Sequence, residues 1–301
     1  MKKNVIISLA DSNYFELLNE LVDSITRFEE RKSIAICILD AGLSKEQKNI
    51  LSKKVDEIKP AEWDIDVSGF RVKGREWLKS QVSRAFLPKY FPNYEKYLWI
   101  DADAWVNSWQ AIELYFKGCE NDKLSIASSA DRAYGRVLRA EWVFGSFARI
   151  KSQNYKHAKS SGFSEKIARQ VALKPHLNIG VFALEANATH WNVWQKNLKL
   201  ALKKGRIWGS EQIAMNITIY SDKLPVEILP AYCNWTHTGF GGFKFDKERN
   251  TLVEPYLPNH EILIVHFAGK DNDPIRKDKN FVSKIETLDG EIINKKLRFS
   301  K

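Results

Sequence analysis

The stretch Tyr97-Leu98-Trp99-Ile100-Asp101-Ala102-Asp103-Ala104-Trp105-Val106 drives an apolar run straight into two carboxylates spaced one residue apart. Nothing else in the chain narrows the fold as much. A run this short reads as a buried strand, and a buried strand must carry its charges to the edge of the sheet. Open α/β sheets bind ligands there, beyond the carboxyl ends of their strands. Side chains alternate across an extended strand, so residues i and i+2 face the same way and Asp101 and Asp103 can grip one ion. Carboxylate oxygens suit hard divalent cations such as Mg²⁺ and Mn²⁺, which share their coordination shell with substrate phosphates. The competing reading is a solvated turn after a strand. Trp99 and Trp105 flank the pair and apolar residues resume at once, which favours a site.

The surrounding pattern alternates strands with helices. Asn4 to Leu9 reads as a strand, and Phe15, Leu18, Leu21, Val22, Ile25 and Phe28 follow at helical spacing. Ser33 to Leu39 is a second strand; Ser44 to Gln47 is a capping box opening a helix to about Ile58. A helical stretch over Lys79 to Tyr90 precedes the acidic pair. Later come a strand at Leu124 to Ala127, another at Asn178 to Leu184, helices over Trp191 to Leu202 and Ser210 to Tyr220, and a strand at Ile262 to Val265. This order predicts right-handed βαβ units in a mainly parallel, Rossmann-like sheet flanked by helices. Residues 131–175 have helical patches without clear order, so they are a candidate insertion or lid within a 1–270 catalytic domain. Residues 271–301 form a basic C-terminal segment.

Composition removes several classes. The longest apolar runs, such as Glu261 to His266, are strand-sized and far short of a membrane span. Lys2-Lys3 precedes an apolar stretch that Asp11 interrupts, too short for a signal peptide. Cys37, Cys119 and Cys233 are widely spaced and odd in number, which gives neither a disulfide framework nor a paired metal motif. Three N-x-T sequons, at Asn187, Asn216 and Asn234, are then chance, and a cytoplasmic setting is expected. The net charge of +10 comes without a helix-turn-helix, RNP or zinc-finger pattern, so no nucleic-acid partner is expected. The last segment, Asn294 to Lys301, interleaves bases with apolar residues; it could rest on an anionic membrane or simply be solvated.

Several other segments fall into register with the acidic pair: Ala10 to Tyr14, Ser83 to Tyr90, His176 to Phe182, Gly209 to Asn216, Leu229 to Asn234 and Ile264 to Lys270. In this order and spacing the chain resembles the family 8 retaining glycosyltransferases, which include bacterial lipopolysaccharide α-galactosyltransferases and glycogenin. The resemblance runs from about Asn4 to Gly269. It implies a GT-A fold and a UDP-sugar donor, UDP-galactose or UDP-glucose before others. Ala10, Asp11, Asn13 and Tyr14 would hold uracil and ribose, with Tyr14 stacked on the base. Arg84 would reach the donor sugar and diphosphate. Asp101 and Asp103, with Ala102 between them, and His266 would hold the metal against the diphosphate. Asp131 and Asn178 would face donor hydroxyls, and Gln212 would sit on the β face of the anomeric carbon, next to the acidic Glu211. Gly180 would only permit close approach. The family places a Lys some residues after the Gly that here is Gly269; in this chain Lys270 follows directly, so Lys270, Arg276 or Lys277 would serve the phosphate.

The function expected from all this is metal-dependent transfer of a hexose to a saccharide or lipid-linked saccharide acceptor, as in bacterial surface polysaccharide or lipopolysaccharide synthesis. A nitrogen ligand tilts the metal from Mg²⁺ toward Mn²⁺. A neutral amide such as Gln212 is a poor nucleophile, which favours front-face attack with retention. Two other readings compete. One is a carbohydrate- or nucleotide-sugar-binding protein on the same fold without turnover. The other is a D-x-D phosphohydrolase, although Trp105 stands where such enzymes carry Thr or Val.

Overall fold

The computed structural model describes residues 2–67, 69, 72–129, 138–205, 207–236 and 242–300. The chain begins with β1 (Asn4–Ala10), α1 (Phe15–Thr26), β2 (Ile34–Asp40), α2 (Lys45–Leu51) and β3 (Glu57–Pro60). Short helices α3 (Ser80–Ser83) and α4 (Leu87–Tyr90) lead to β4 (Lys96–Ile100), β5 (Ala104–Val106), α5 (Gln110–Gly118) and β6 (Leu124–Ser128). A hairpin of β7 (Leu138–Val143) and β8 (Phe147–Ser152) precedes α6 (Gln153–Ser160) and α7 (Glu165–Ala172). Then follow β9 (Leu177–Glu185), α8 (His190–Lys204), α9 (Ser210–Tyr220), β10 (Val226–Leu229) and β11 (Trp235–Thr236). The chain closes with β12 (Lys244–Asp246), β13 (Thr251–Val253), β14 (Ile264–His266), α10 (Asp273–Lys277), β15 (Val282–Thr287) and β16 (Ile292–Lys296).

Among the described residues, the main sheet runs β10-β6-β9-β4-β1-β2-β3. Its strands are parallel except β9, which lies antiparallel between β4 and β6. Both faces are covered, as a parallel sheet requires. In β1, Val5, Ile7 and Leu9 point into one core while Ile6 and Ala10 point into the other. The expected α/β architecture with a mainly parallel sheet is therefore present. Two local expectations are not met. The capping box of Ser44 and Gln47 is formed, but α2 ends at Leu51 and Glu57 to Pro60 is a strand. Leu51, Val55 and Ile58 mimic a helical face, yet Asp56 docks on β2, its carboxylate accepting from Ile36 N at 2.9 Å and its own N–H donating to Ile36 O at 2.8 Å. Tertiary pairing outweighs a weak local preference there. Likewise the stretch before Tyr90 is broken into short helical and 3₁₀ turns.

Three smaller sheets accompany it among the described residues, β11-β14-β5, β13-β12-β15-β16 and the β7-β8 hairpin. The basic C-terminal segment is therefore woven into the structure. Leu297 and Arg298 are buried, and Leu297 O accepts from Trp105 Nε1 at 3.0 Å. Arg298 grips both carboxylate oxygens of Glu20 at 2.7 and 2.8 Å. Of residues 131–175, expected as an insertion or lid, the described part from 138 on holds the hairpin and two helices; α6 and α7 pack on α9 through Ala158, Phe163, Ala168, Val171, Ile213 and Ile217.

Candidate active site

The acidic pair emerges where β4 ends, at the carboxyl edge of the sheet, but its carboxylates do not converge through strand pleating. Asp101 to Asp103 form a turn, closed by Ala104 N–H donating to Asp101 O at 3.1 Å. Asp101 N–H donates to Gly180 O at 2.8 Å, which extends the β4–β9 ladder by one residue. The chain then turns into β5, whose antiparallel partner β14 sets His266 opposite Ala104. One turn and one strand pairing thus bring three distant side chains together. His266 Nε2 lies 3.3 Å from Asp103 Oδ1 and 3.9 Å from Asp101 Oδ2. Potential ligand atoms of Asp101, Asp103 and His266 all fall within 4.8 Å of one another.

Each of the three presents one atom inward because its other atom is held elsewhere. Asp101 Oδ1 accepts from Trp99 Nε1 at 2.7 Å and pairs with Arg84 Nη2 at 3.2 Å. Asp103 Oδ2 pairs with Arg276 Nη1 at 3.3 Å. His266 Nδ1 lies 2.8 Å from Asn234 Oδ1. An amide oxygen only accepts, so Nδ1 carries a proton and Nε2 is left for a ligand. Such outer contacts fix the tautomer and aim of a metal-binding imidazole. Two carboxylate oxygens and one imidazole nitrogen fit a divalent cation of the Mg²⁺ or Mn²⁺ kind. Burial opposes charge on all three groups, and the neighbours decide the outcome. For His266, burial is outweighed by the hydrogen bond to Asp103 and the charges of both carboxylates, which raise it above the ordinary imidazole value. Burial raises Asp101, whereas His266 and Arg276 hold Asp103 below the usual range despite burial.

The site also depends on a glycine. A Cβ on Gly180 would sit 2.3 Å from His266 Cε1 and 3.0 Å from both Asp101 Oδ2 and Asn178 Oδ1. The register between β6 and β9 shifts between Ile126 and Ala127, a bulge that falls beside this crossing point. Asn178 Oδ1 accepts from Gly180 N at 2.9 Å and so shapes the same corner.

A second group of polar residues surrounds the start of α9. Arg84 is buried, donates to Ser80 O and Ile179 O, and places its guanidinium 4.8 Å over the Trp99 ring. Glu211 is buried, and burial raises its carboxyl to about 7 against the pull of Arg84. Among the described residues nothing hydrogen-bonds Glu211 Oε2. His176 Nδ1 lies 2.6 Å from Asn154 Oδ1, and its Nε2 is hydrogen-bonded to Gln212 Nε2. Burial pushes His176 down to about 3, so the ring is neutral. Its Nδ1 donates to Asn154 and its Nε2 accepts from Gln212, which turns the Gln212 carbonyl oxygen away from the ring.

The remaining sequence candidates are distributed less tightly. Ala10 ends β1 in the core, and Asp11 caps the following turn by accepting from Asn13 N, Tyr14 N and Asn13 Nδ2. The Tyr14 ring is exposed; its hydroxyl is raised by burial of the oxygen and by nearby Asp103. Ala102 is buried between the aspartates, while Gly269 and Lys270 are exposed. Lys277 pairs with Asp273 on the surface. Of the three basic candidates after β14, it is Arg276 that stands at the acidic pair. Asp131 lies outside the described residues. Sequence reasoning assigned no role to Trp99, Asn154, His176 or Asn234; the signal available for them was position alone, each falling in or beside a motif segment or the insertion.

A sequence model of glycosyl transferase family 8 matches residues 5–271. The chain belongs to that family. No curated protein matches it in sequence. Among solved structures, the galactosyltransferase LgtC, in complex with donor and acceptor sugar analogues, superposes with a TM-score of 0.52 at 14% identity, covering 88% of this chain and 87% of that one. GlyE of Streptococcus pneumoniae TIGR4 gives 0.53 at 13% identity over 90% of this chain and 56% of its own. Mouse xyloside xylosyltransferase 1 gives 0.52 at 11% identity over 91% and 99%. These likenesses establish a shared GT-A fold. The family 8 chain is thus a glycosyltransferase, and its Asp101, Asp103 and His266 form a candidate metal centre.

Proposed function

We propose that this glycosyltransferase moves a hexose from a UDP-sugar, UDP-galactose or UDP-glucose, to a saccharide hydroxyl with retention of configuration. The observation that carries the reading is the convergence of Asp101, Asp103 and His266 with Arg276 immediately behind. A nucleoside diphosphate is a poor leaving group until its developing charge is neutralised, and a divalent cation bound by this triad would supply that charge. Mn²⁺ is our choice because one ligand is an imidazole nitrogen. Arg276 and Arg84 add positive charge on either side of the acidic pair. Tyr14 offers an exposed ring for the base, next to the backbone turn capped by Asp11. Glu211 Oε2 and the Asn178 amide are polar groups for donor hydroxyls, and Gln212 presents a neutral carbonyl oxygen suited to stabilising positive charge on the anomeric carbon. The setting would be surface polysaccharide or lipopolysaccharide synthesis on a saccharide or lipid-linked saccharide.

The test is a screen of nucleotide sugars for hydrolysis and transfer with Mn²⁺, Mg²⁺ or EDTA. UDP release from one UDP-hexose, abolished by EDTA and by Asp103→Ala, supports the reading. Preference for another nucleotide, or full activity of Asp103→Ala in EDTA, would refute it. Proton NMR of the early product reads the anomer, and a β-glycoside from an α-linked donor would rule out retention.

A further inference from the structure

Residues 138–152 stand apart from the catalytic architecture. β7 and β8 pair only with each other among the described residues, in the register Glu141 opposite Arg149 and Trp142 opposite Ala148. Opposite residues of an antiparallel pair share a face, and alternate residues share it along each strand. One face of the ribbon therefore carries Ala140, Trp142, Ala148 and Ile150. The other carries Arg139, Glu141, Arg149 and Lys151, where Glu141 pairs with all three bases at 2.7 to 3.2 Å. Val143, Phe144 and Phe147 close the tip. The ribbon is thus amphipathic, yet its apolar side is open: Trp142 and Ile150 on that face are 76 and 57% exposed, and Phe144 and Phe147 at the tip are 93 and 71% exposed. An isolated two-stranded hairpin is marginal in water, and a cluster of exposed aromatics marks an interaction surface.

Charge indicates what covers it. Residues 138–175 hold eight Lys and Arg against two Glu, a net +6 out of +10 for the chain. Lys156, Lys159, Lys166, Arg169 and Lys174 are all exposed on or beside the helices that follow the ribbon. Trp and Phe beside Lys and Arg is the composition that settles at the headgroup level of an anionic bilayer. A second copy of this positively charged segment would be repelled. In the C-terminal segment Leu297 and Arg298 are buried in the fold, so these two are not available to a lipid surface.

We propose that the β7–β8 ribbon is a membrane-docking element, laying its aromatic tip and apolar face on an anionic lipid surface. This holds independently of the donor assigned to the active site. The insertion leaves the sheet at Ser129 and returns at His176, where Ser129 N–H donates to His176 O at 2.7 Å. Both ends of the insertion thus join the sheet at the edge where β6 ends and β9 begins, the edge that carries the acidic pair. Sedimentation of the full chain with phosphatidylcholine vesicles, with and without phosphatidylglycerol, tests it. The wild type should bind the anionic vesicles and release in high salt. The variant W142S/F144S/F147S should keep the wild-type Tm and lower the partition coefficient at least about tenfold. K295Q/K296Q, which removes charge from the C-terminal strand, should bind as the wild type does. Undiminished sedimentation of the Ser variant, or no wild-type binding to anionic vesicles, overturns the proposal. A lowered Tm of the Ser variant, or a wild-type dimer that the variant converts to monomer, overturns it equally, because the face would then be occupied by protein.

Discussion

Gly180 lies directly under His266: a Cβ built on the glycine would come within 2.3 Å of the imidazole Cε1. The candidate metal centre therefore depends on the absence of a Cβ at this position, on a strand that supplies none of its three side chains. Gly180→Ala should leave the fold intact and lower Mn²⁺ affinity at least about tenfold, the scale of damage from displaced supporting groups. Titration of the metal by calorimetry, with circular dichroism to verify folding, measures this directly. Wild-type affinity in Gly180→Ala would show that His266 is not a ligand.

Arg276 should matter more than Lys270. Arg276 pairs with Asp103 at 3.3 Å, whereas Lys270 is exposed. Arg276→Gln is expected to cut turnover by about 10²-fold, the cost of removing one preorganised charge beside a developing anion. Lys270→Gln should stay within about threefold, ordinary for a surface change. The reverse ranking would return the phosphate role to Lys270.

Glu211 makes the metal-free protein sensitive to pH. Its carboxyl is raised by burial from 4.5 to about 7. Below about pH 4.5 folded and unfolded forms are both protonated and the group is neutral to stability. As pH rises from about 4.5 to about 7, the unfolded chain ionises while the folded carboxyl holds its proton, so stability falls by up to about 3 kcal/mol and levels off above that. In EDTA, the denaturant midpoint of Glu211→Gln relative to wild type should therefore climb between pH 5 and pH 8. A constant difference across that range would place the carboxylate in a better-solvated environment than the structure gives it.

His176 should act on turnover through Gln212. The neutral ring accepts from the amide nitrogen of Gln212 and donates to Asn154. His176→Phe removes the acceptor and frees the amide to rotate; kcat should fall about tenfold with little change in donor KM, the pattern of a lost transition-state contact. His176→Gln keeps one donor and one acceptor, so part of the loss should be restored. Equal activity in Phe and Gln variants would make His176 a packing residue only.

How far the site is legible in the sequence differs by residue. Asp101 and Asp103 stand out because an apolar run that ends in paired acids has little use except to bring charge to a sheet edge. Their convergence is another matter, since a turn and not the extended strand suggested by the pattern brings them together. His266 could be named only through resemblance, because its partners lie more than 160 residues away and strand pairing between β5 and β14 leaves no local signature. Trp99, Asn234 and His176 were hidden for the same reason: a supporting role is defined by what a side chain touches across the sheet. The alternating strands and helices of the first half were legible from periodicity. The short strands β10 to β13 were not, because two to four residues carry too little pattern to separate strand from loop.

The pairing of the last residues with the first third of the chain has a bearing on biosynthesis. Trp105 stands two residues after Asp103, and it donates to Leu297 O while its ring lies 5.9 Å from Phe299. Arg298 meanwhile reaches Glu20 on α1. A ribosome delivers the acidic pair long before the wall behind it. Until residues 297–299 emerge, the indole that flanks the carboxylates lacks its partners, so the loop of the candidate metal centre acquires its backing only then. The backing of the acidic loop thus comes from residues nearly two hundred positions further along the chain, and it forms only once they have docked on Trp105.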